Sequence, residues 1–301
     1  MTVFTSRTCL THRPGGDHPD QPERLACVLR HLERDPTIEV RESPAAPIDA
    51  LTRCHDPRYL ERAAALAASG GGELGPDTPM GPESWTATIG ASGAVLAALD
   101  HAVHGWGTAF AAVRPPGHHA LHDRAMGFCV VNHVVVAAMA ARASGADRVL
   151  IVDWDVHHGN GTQALVEREP GVHFVSMHRY PWYPGTGAAE ERGVGNCFNL
   201  PMSPSLPPAT YVETLWRGIG RATTAWTPDL VLISAGYDAM LGDPLGGFTL
   251  EPEHFATWVN RLREAFPRAP IVAVMEGGYR PERLAAGVLA TVRALDSAKP
   301  R

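Results

Sequence analysis

The run DWDVHHGNGTQ at residues 153 to 163 follows directly on the branched, apolar RVLIV at 148 to 152, and this junction constrains the chain more than any other feature. An apolar run of that length reads as a buried strand, so Asp153, Asp155 and His157 are delivered to a strand end. Side chains two apart in extended chain point the same way, which lets Asp155 and His157 close on one cation and leaves Asp153 as a flanking partner. Carboxylate plus imidazole is a borderline donor set, suited to Zn²⁺ and less to Ca²⁺ or Mg²⁺. A catalytic zinc needs a third protein ligand and an open position for water. The segment DLVLISAGYDA, 229 to 239, reads as a second buried strand that breaks at Gly236, with Asp238 just beyond the break. Asp155, His157 and Asp238 are therefore the expected ligands.

Further strand candidates are 108–113, 148–152, 172–176, 230–234 and 271–275, alternating with helical stretches near 83–104, 132–143, 208–225 and 251–266. Two more helices open with proline before glutamate, at Pro22-Glu23 and Pro281-Glu282, as proline in the first turn permits. Such alternation predicts an α/β fold with parallel strands and helices on both faces. Almost every polar motif follows a strand: RPPGHHA after 113, DWDVHHG after 152, SMHRY after 175, SAGYDA after 233 and MEGGY after 274. Ligands of open α/β sheets bind at the carboxyl ends of the strands, so these five loops are expected to share one face.

Composition excludes several classes. A chain of 301 residues with 45% hydrophobic residues can bury a large core as one unit, and no repeat, charge block or linker marks a boundary. A net charge of −6 without a basic block argues against nucleic-acid binding and mildly favours cationic substrates. There is no uninterrupted apolar run of ~18 to 20 residues, so no membrane span is expected. The start MTVFTSRTCLTHRPGG lacks a basic region followed by an apolar one, and the expectation is a cytoplasmic protein. Cys9, Cys27, Cys54, Cys129 and Cys197 form an odd, scattered set, expected as free buried thiols.

Taken together, RPPGHHA (114–120), GFCVVNH (127–133), DWDVHHGNGTQ (153–163), YPGTG (183–187), SAGYDAMLGDPLGG (234–247) and EGGY (276–279) resemble the histone deacetylase family, including bacterial deacetylase-like amidohydrolases and acetylpolyamine amidohydrolases. HPDQPERL at 18–25 is similar to the family's N-terminal signature, so the resemblance covers nearly the whole chain and implies one deacetylase catalytic domain over 1–301. It implies the arginase-deacetylase fold, a single parallel sheet of about eight strands between helical layers. It makes Asp155, His157 and Asp238 zinc ligands, His118 and His119 the paired catalytic histidines, Asp153 the partner of His118 and Asn160 the partner of His119. Asn160 within GNGTQ is similar to the class II branch. Tyr279 becomes the hydroxyl that binds the substrate carbonyl. Phe128 and Tyr183 become walls of an acyl-lysine tunnel, Asp77 a rim acceptor for substrate backbone, Gly127 and Gly278 points of close approach, and Arg24 part of a cavity receiving acetate. A structural K⁺ near Asp153, Asp155, His157 and Ser176 is implied as well.

The activity implied is zinc-dependent hydrolysis of acetyl or longer acyl groups on lysine side chains, with acetylated polyamines as the alternative substrate. Leu245 stands where polyamine-specific relatives use an acidic gatekeeper, which leans towards acyl-lysine. Iron(II) suits the Asp/His/Asp set as well as zinc. An arginase-like dinuclear site would need an acid at position 159, which is glycine. A non-catalytic binding module is the remaining alternative, opposed by retention of the ligands, both histidines and Tyr279. Taken singly, the motifs have plainer readings. His118 and His119 would be loop histidines, the DxDxH acids would cap the helix starting near Gly159, and Asp238 would stabilise a turn. Ser69 to Gly72 reads as a flexible loop, and His31, His101 and His254 receive no role.

Overall fold

The computed structural model describes residues 1–296. Its strands are β1 (Thr2–Thr5), β2 (Glu39–Glu42), β3 (Gly72–Gly75), β4 (Thr78–Met80), β5 (Thr108–Ala111), β6 (Val149–Asp153), β7 (Val172–Arg179), β8 (Cys197–Met202), β9 (Leu230–Ala235) and β10 (Ile271–Met275). The helices are α1 (Glu23–Glu33), α2 (Ile48–Leu51), α3 (Pro57–Ala68), α4 (Ser84–His101), α5 (His133–Ala143), α6 (Asn160–Val166), α7 (Pro208–Ala222), α8 (Pro252–Ala265) and α9 (Pro281–Asp296). Eight strands form one sheet in the order β2-β1-β5-β10-β9-β6-β7-β8, and every neighbouring pair is parallel. β3 and β4 make a separate antiparallel hairpin. Helices α4, α5 and α6 cover one face, while α1, α9, α8 and α7 cover the other.

This order has a direct functional consequence. The five strands that precede the polar motifs, β5, β10, β9, β6 and β7, are consecutive in the sheet, so their carboxyl ends lie side by side on one edge. Burial on both faces explains why these strands read as continuous apolar runs; β6, β9 and β10 are buried along their whole length. The period-2 alternation then divides the polypeptide after β6. Asp153 and Asp155 face the site, whereas Trp154 turns away, meeting Phe255 of α8 edge-on and stacking on Trp258, with ring centroids 5.8 and 5.5 Å apart.

The strands absent from the sequence expectation are the weakly patterned ones. β1 is only four residues long, β2 is the exposed polar edge EVRE, and β8 carries Asn199 and Pro201. Proline in β8 is tolerated because this is the other edge. Helix α3 was also unanticipated, although its start follows the rules: the Asp56 side chain accepts from Arg58 N–H and Tyr59 N–H, and Pro57 opens the first turn. The expected loop 69–72 is a turn in which Gly72 already begins β3, and a Cβ on Gly71 would meet the Met80 carbonyl. All five cysteines are free and buried.

The stretch Ser84–Gly105 is long and apolar enough to cross a membrane, with mean hydropathy 1.2, but 61% of its most apolar window is buried inside the fold. It packs on β1, β5 and α5, and a Cβ on Gly93 would meet the Pro44 carbonyl. Coverage on both sides accounts for its lack of a polar face.

Beneath the site edge lies a charged hub. Asp20 is completely buried and accepts from Arg24 Nη1 at 2.6 Å and Arg114 Nε at 3.2 Å, with His12 Nε2 at 3.5 Å. Arg114 also donates to the Cys9, His12 and Asp20 carbonyls, tying the N-terminal segment to the end of β5. Burial alone would raise the Asp20 carboxyl pKa, but the guanidiniums and His12 outweigh it and hold it well below the usual range. Because its folded pKa is depressed, Asp20 contributes stability above the unfolded carboxyl pKa of ~3.9 and loses it as pH falls towards the folded value. Asp20→Asn leaves two buried guanidiniums without their counter-charge and is expected to cost ~3 to 5 kcal/mol, read as a lowered urea midpoint at neutral pH.

Candidate metal centre

Three side chains converge where β6 and β9 end. His157 Nδ1 lies 3.1 Å from Asp155 Oδ1 and 3.2 Å from Asp238 Oδ2, and one ligand atom from each residue falls within 4.8 Å of the others. Ligands held at ~2.0 to 2.1 Å around a tetrahedral cation sit ~3.3 Å apart, so these spacings suit a single small dication. The carboxylates are oriented by backbone N–H groups: Gly277 donates to Asp155 Oδ2 at 2.9 Å and Val156 to Asp238 Oδ1 at 2.9 Å. Three glycines stand against this cluster with no room for a side chain. A Cβ on Gly236 would strike Asp155, one on Gly277 would strike Asp238 and Asp155, and one on Gly159 would strike Asp153. None of the three has positive φ, so space and not backbone freedom requires glycine there.

The electrostatics point to the same chemistry. All three candidate ligands are buried. Burial alone would depress His157, yet Asp155 and Asp238 outweigh it and push its pKa up to about 10; burial and the neighbouring Asp155 charge push Asp238 up to about 7. Two carboxylates facing one imidazole hold negative charge that a dication would neutralise. The residues present therefore fit a borderline divalent metal.

Beside the ligands, His118 and His119 occupy different environments. The His118 Nδ1–H donates to Asp153 Oδ2 at 3.0 Å, and His118 Nε2 approaches Asp155 Oδ1 at 3.8 Å. Burial alone would lower its pKa, but Asp155 and Asp153 outweigh it and raise it to about 10. The His119 Nδ1–H donates to Asn160 Oδ1 at 2.7 Å, while the amide nitrogen of Asn160 points to Met126 Sδ. Burial, together with His118 and His157 as neighbouring cations, holds His119 well below the usual imidazole range. His119 is thus neutral with its Nε2 lone pair free of the Asn160 contact. Asp153, Asp155 and His157 do not cap α6, whose N-cap is Gly159 without a side-chain bond.

The pair is propped from below by Glu276, which sequence reasoning passed over. Its Oε2 accepts from Gly117 N–H at 2.6 Å and His118 N–H at 3.2 Å, and burial raises its pKa to about 7. The only cue is an acid at a strand end in EGGY.

Above the cluster opens a pocket of about 210 Å³ lined by Asp77, His119, Gly127, Phe128, His157, Trp182, Tyr183, Leu245 and Tyr279. Tyr183 packs edge-on to His119 at 5.3 Å, and Phe128 packs edge-on to Tyr279 at 5.8 Å and to His18 at 4.4 Å. Gly127, at φ 58, lies where a Cβ would strike the His119 ring. Gly278 is not among the lining residues; it turns at φ 124 and its carbonyl accepts from Arg24 Nε at 2.6 Å. Asp77 is on the rim, with Oδ1 accepting from Gly127 N–H at 2.6 Å and the Tyr183 hydroxyl bonded to its carboxylate. Asp243 is engaged too, accepting from Tyr279 N–H at 2.7 Å and Leu245 N–H at 2.9 Å.

Trp182 was not anticipated at the mouth. The Arg179 guanidinium stacks over its ring at 3.4 Å, and its Nε1–H donates to the Leu245 carbonyl at 3.3 Å. Arg24 is buried below Tyr279, with its guanidinium 4.8 Å from that ring's centroid and further bonds to Asp20 and the Glu276 carbonyl. Ser176 neighbours Asp153 across the β6/β7 register, and its hydroxyl pairs with His178 Nδ1 at 2.9 Å.

The comparisons agree with this geometry. The family model described as histone deacetylase domain matches residues 18–295. A histone deacetylase-like amidohydrolase of Pseudomonas aeruginosa is 37% identical over 87% of this chain and 72% of its own length. The human polyamine deacetylase HDAC10 is 34% identical over 93% of this chain and 45% of its own. The crystal structure of the HDA15 HD domain superposes with a TM-score of 0.94 at 31% identity, covering 99% of this chain and 91% of that one, so the eight-stranded sheet is that of the arginase-deacetylase fold. Sequence, sheet and comparisons converge: the chain belongs to the histone deacetylase family.

Proposed function

We propose that this chain is a zinc-dependent amidohydrolase acting on acyl-lysine side chains, with residues 1–301 serving as one catalytic domain. The observation that carries the reading is the position of Asp155, His157 and Asp238 at the foot of an aromatic pocket that also presents His119 and Tyr279. A dication held by those three residues supplies polarisation of the amide carbonyl and lowers the pKa of an adjacent water towards ~7. His119 is the general base: its Nδ1–H is fixed by Asn160, so Nε2 takes the water proton and returns it to the leaving amine. His118, paired with Asp153, stays cationic and stabilises the developing negative charge. The Tyr279 hydroxyl donates to the carbonyl oxygen as that charge grows. Phe128 and Tyr183 grip the lysine methylenes and keep water out. Arg24 uses three of its five N–H donors in the protein, and the remaining two serve product acetate. Iron(II) suits the same ligands, and a structural K⁺ near Asp153, Asp155, His157 and Ser176 belongs to the same reading.

The rim favours lysine over polyamine. Leu245 presents no charge to a second ammonium group, Asp243 is turned to the Tyr279 and Leu245 N–H groups and does not line the pocket, and Asp77 keeps acceptor capacity for the substrate backbone. Similarity to a polyamine deacetylase supports the alternative substrate, and Leu245→Glu is expected to shift the kcat/KM ratio towards acetylspermidine. A ratio unmoved by that change would remove Leu245 from the account. The function is tested by assaying acetyl-lysine peptides, longer acyl-lysine peptides and acetylated polyamines side by side, before and after chelation and zinc restoration. Absence of metal-dependent turnover on every substrate would overturn the proposal.

A further inference from the structure

A second group of metal-ligating side chains lies outside the pocket, between α1 and α9. Cys27 Sγ is 3.2 Å from Glu282 Oε1, and His31 Nε2 is 3.4 Å from Glu282 Oε2. One donor atom from each of the three residues falls within 4.8 Å of the others. Cys27 and His31 are one helical turn apart and so share a face of α1, while Glu282 reaches across from the first turn of α9. The His31 Nδ1–H donates to the Cys27 carbonyl at 3.0 Å. That bond holds the ring with Nε2 facing Glu282, the arrangement by which a backbone carbonyl orients a ligating imidazole. Cys27 is fully buried, His31 is partly buried and Glu282 is exposed, so the cluster is closed on the protein side and open to solvent.

We propose that Cys27, His31 and Glu282 form a peripheral binding site for a thiophilic divalent cation of the Zn²⁺ class, with water completing a tetrahedron. Without metal, the thiol donates to Glu282 and burial pushes its pKa up to about 11; on binding, that proton is released to solvent and sulfur coordinates as thiolate. The cation would cross-link α1, which carries Arg24, to the helix that begins two residues after Tyr279.

The catalytic cluster contains no sulfur, which makes the test selective. Metal-free protein is titrated with Co²⁺, which fills both clusters, and a thiolate-to-cobalt charge-transfer band, reporting only the sulfur-bearing site, is expected to grow to saturation within two added equivalents. Cys27→Ser should abolish the band, and His31→Gln and Glu282→Gln should each strongly weaken it, all with deacylation unchanged. Excess Zn²⁺ should raise the melting temperature of the wild type further than that of Glu282→Gln, whose pocket cluster is intact. The His31→Gln and Glu282→Gln variants keep the test decisive should Cys27→Ser fail to fold. No band in the wild type, or a band untouched by both His31→Gln and Glu282→Gln, would overturn the site.

Discussion

Tyr279→Phe is expected to lower kcat by ~10²- to 10³-fold, the usual cost of deleting one oxyanion donor, while metal content and KM change little. The substitution keeps the ring that packs against Phe128 and over the Arg24 guanidinium, and it leaves the backbone bond to Asp243 intact. Only the hydroxyl goes. Burial raises the pKa of that hydroxyl well above the ordinary phenol value, so it remains a protonated donor throughout the neutral range. Steady-state kinetics with elemental analysis of the same sample would check the result. Unchanged turnover would place the developing charge elsewhere.

Asp238→Ala is expected to lose the metal and, with it, all measurable hydrolysis. One of two carboxylates vanishes, and so does the acceptor that holds Val156 N–H beside His157. Folding should survive. In the metal-free state burial, and then repulsion from Asp155, raise the Asp238 pKa to about 7. Retention of stoichiometric zinc after gel filtration would reject Asp238 as a ligand.

Legibility in the sequence tracked the distance over which each interaction acts. The convergence of the candidate ligands could be read because each follows an apolar strand, and alternation puts Asp155 and His157 on one side without tertiary information. The central strands were legible because burial on both faces leaves no polar residue to blur them, whereas the polar edges β2 and β8 carry no such pattern. The His119–Asn160 and His118–Asp153 pairs came only through family resemblance, since their partners lie 41 and 35 residues away. The hub around Asp20 and the prop supplied by Glu276 join segments up to 254 residues apart, and nothing local marks them. Trp182 was missed for another reason: an aromatic in a loop reads equally as core or surface until Arg179 and Leu245 are seen against it. His31 is the same case, an unremarkable helical histidine until α9 brings Glu282 to it.

Gly236, Gly277 and Gly159 crowd the acids of the cluster so closely that even one methyl group would displace an oxygen. A deep mutational scan scored on deacylation would consequently report all three as intolerant as the proposed ligands, although none touches a reactant. Efforts to re-tune metal preference by varying neighbours of the carboxylates should start from other positions, because at these three the obstacle is elbow room.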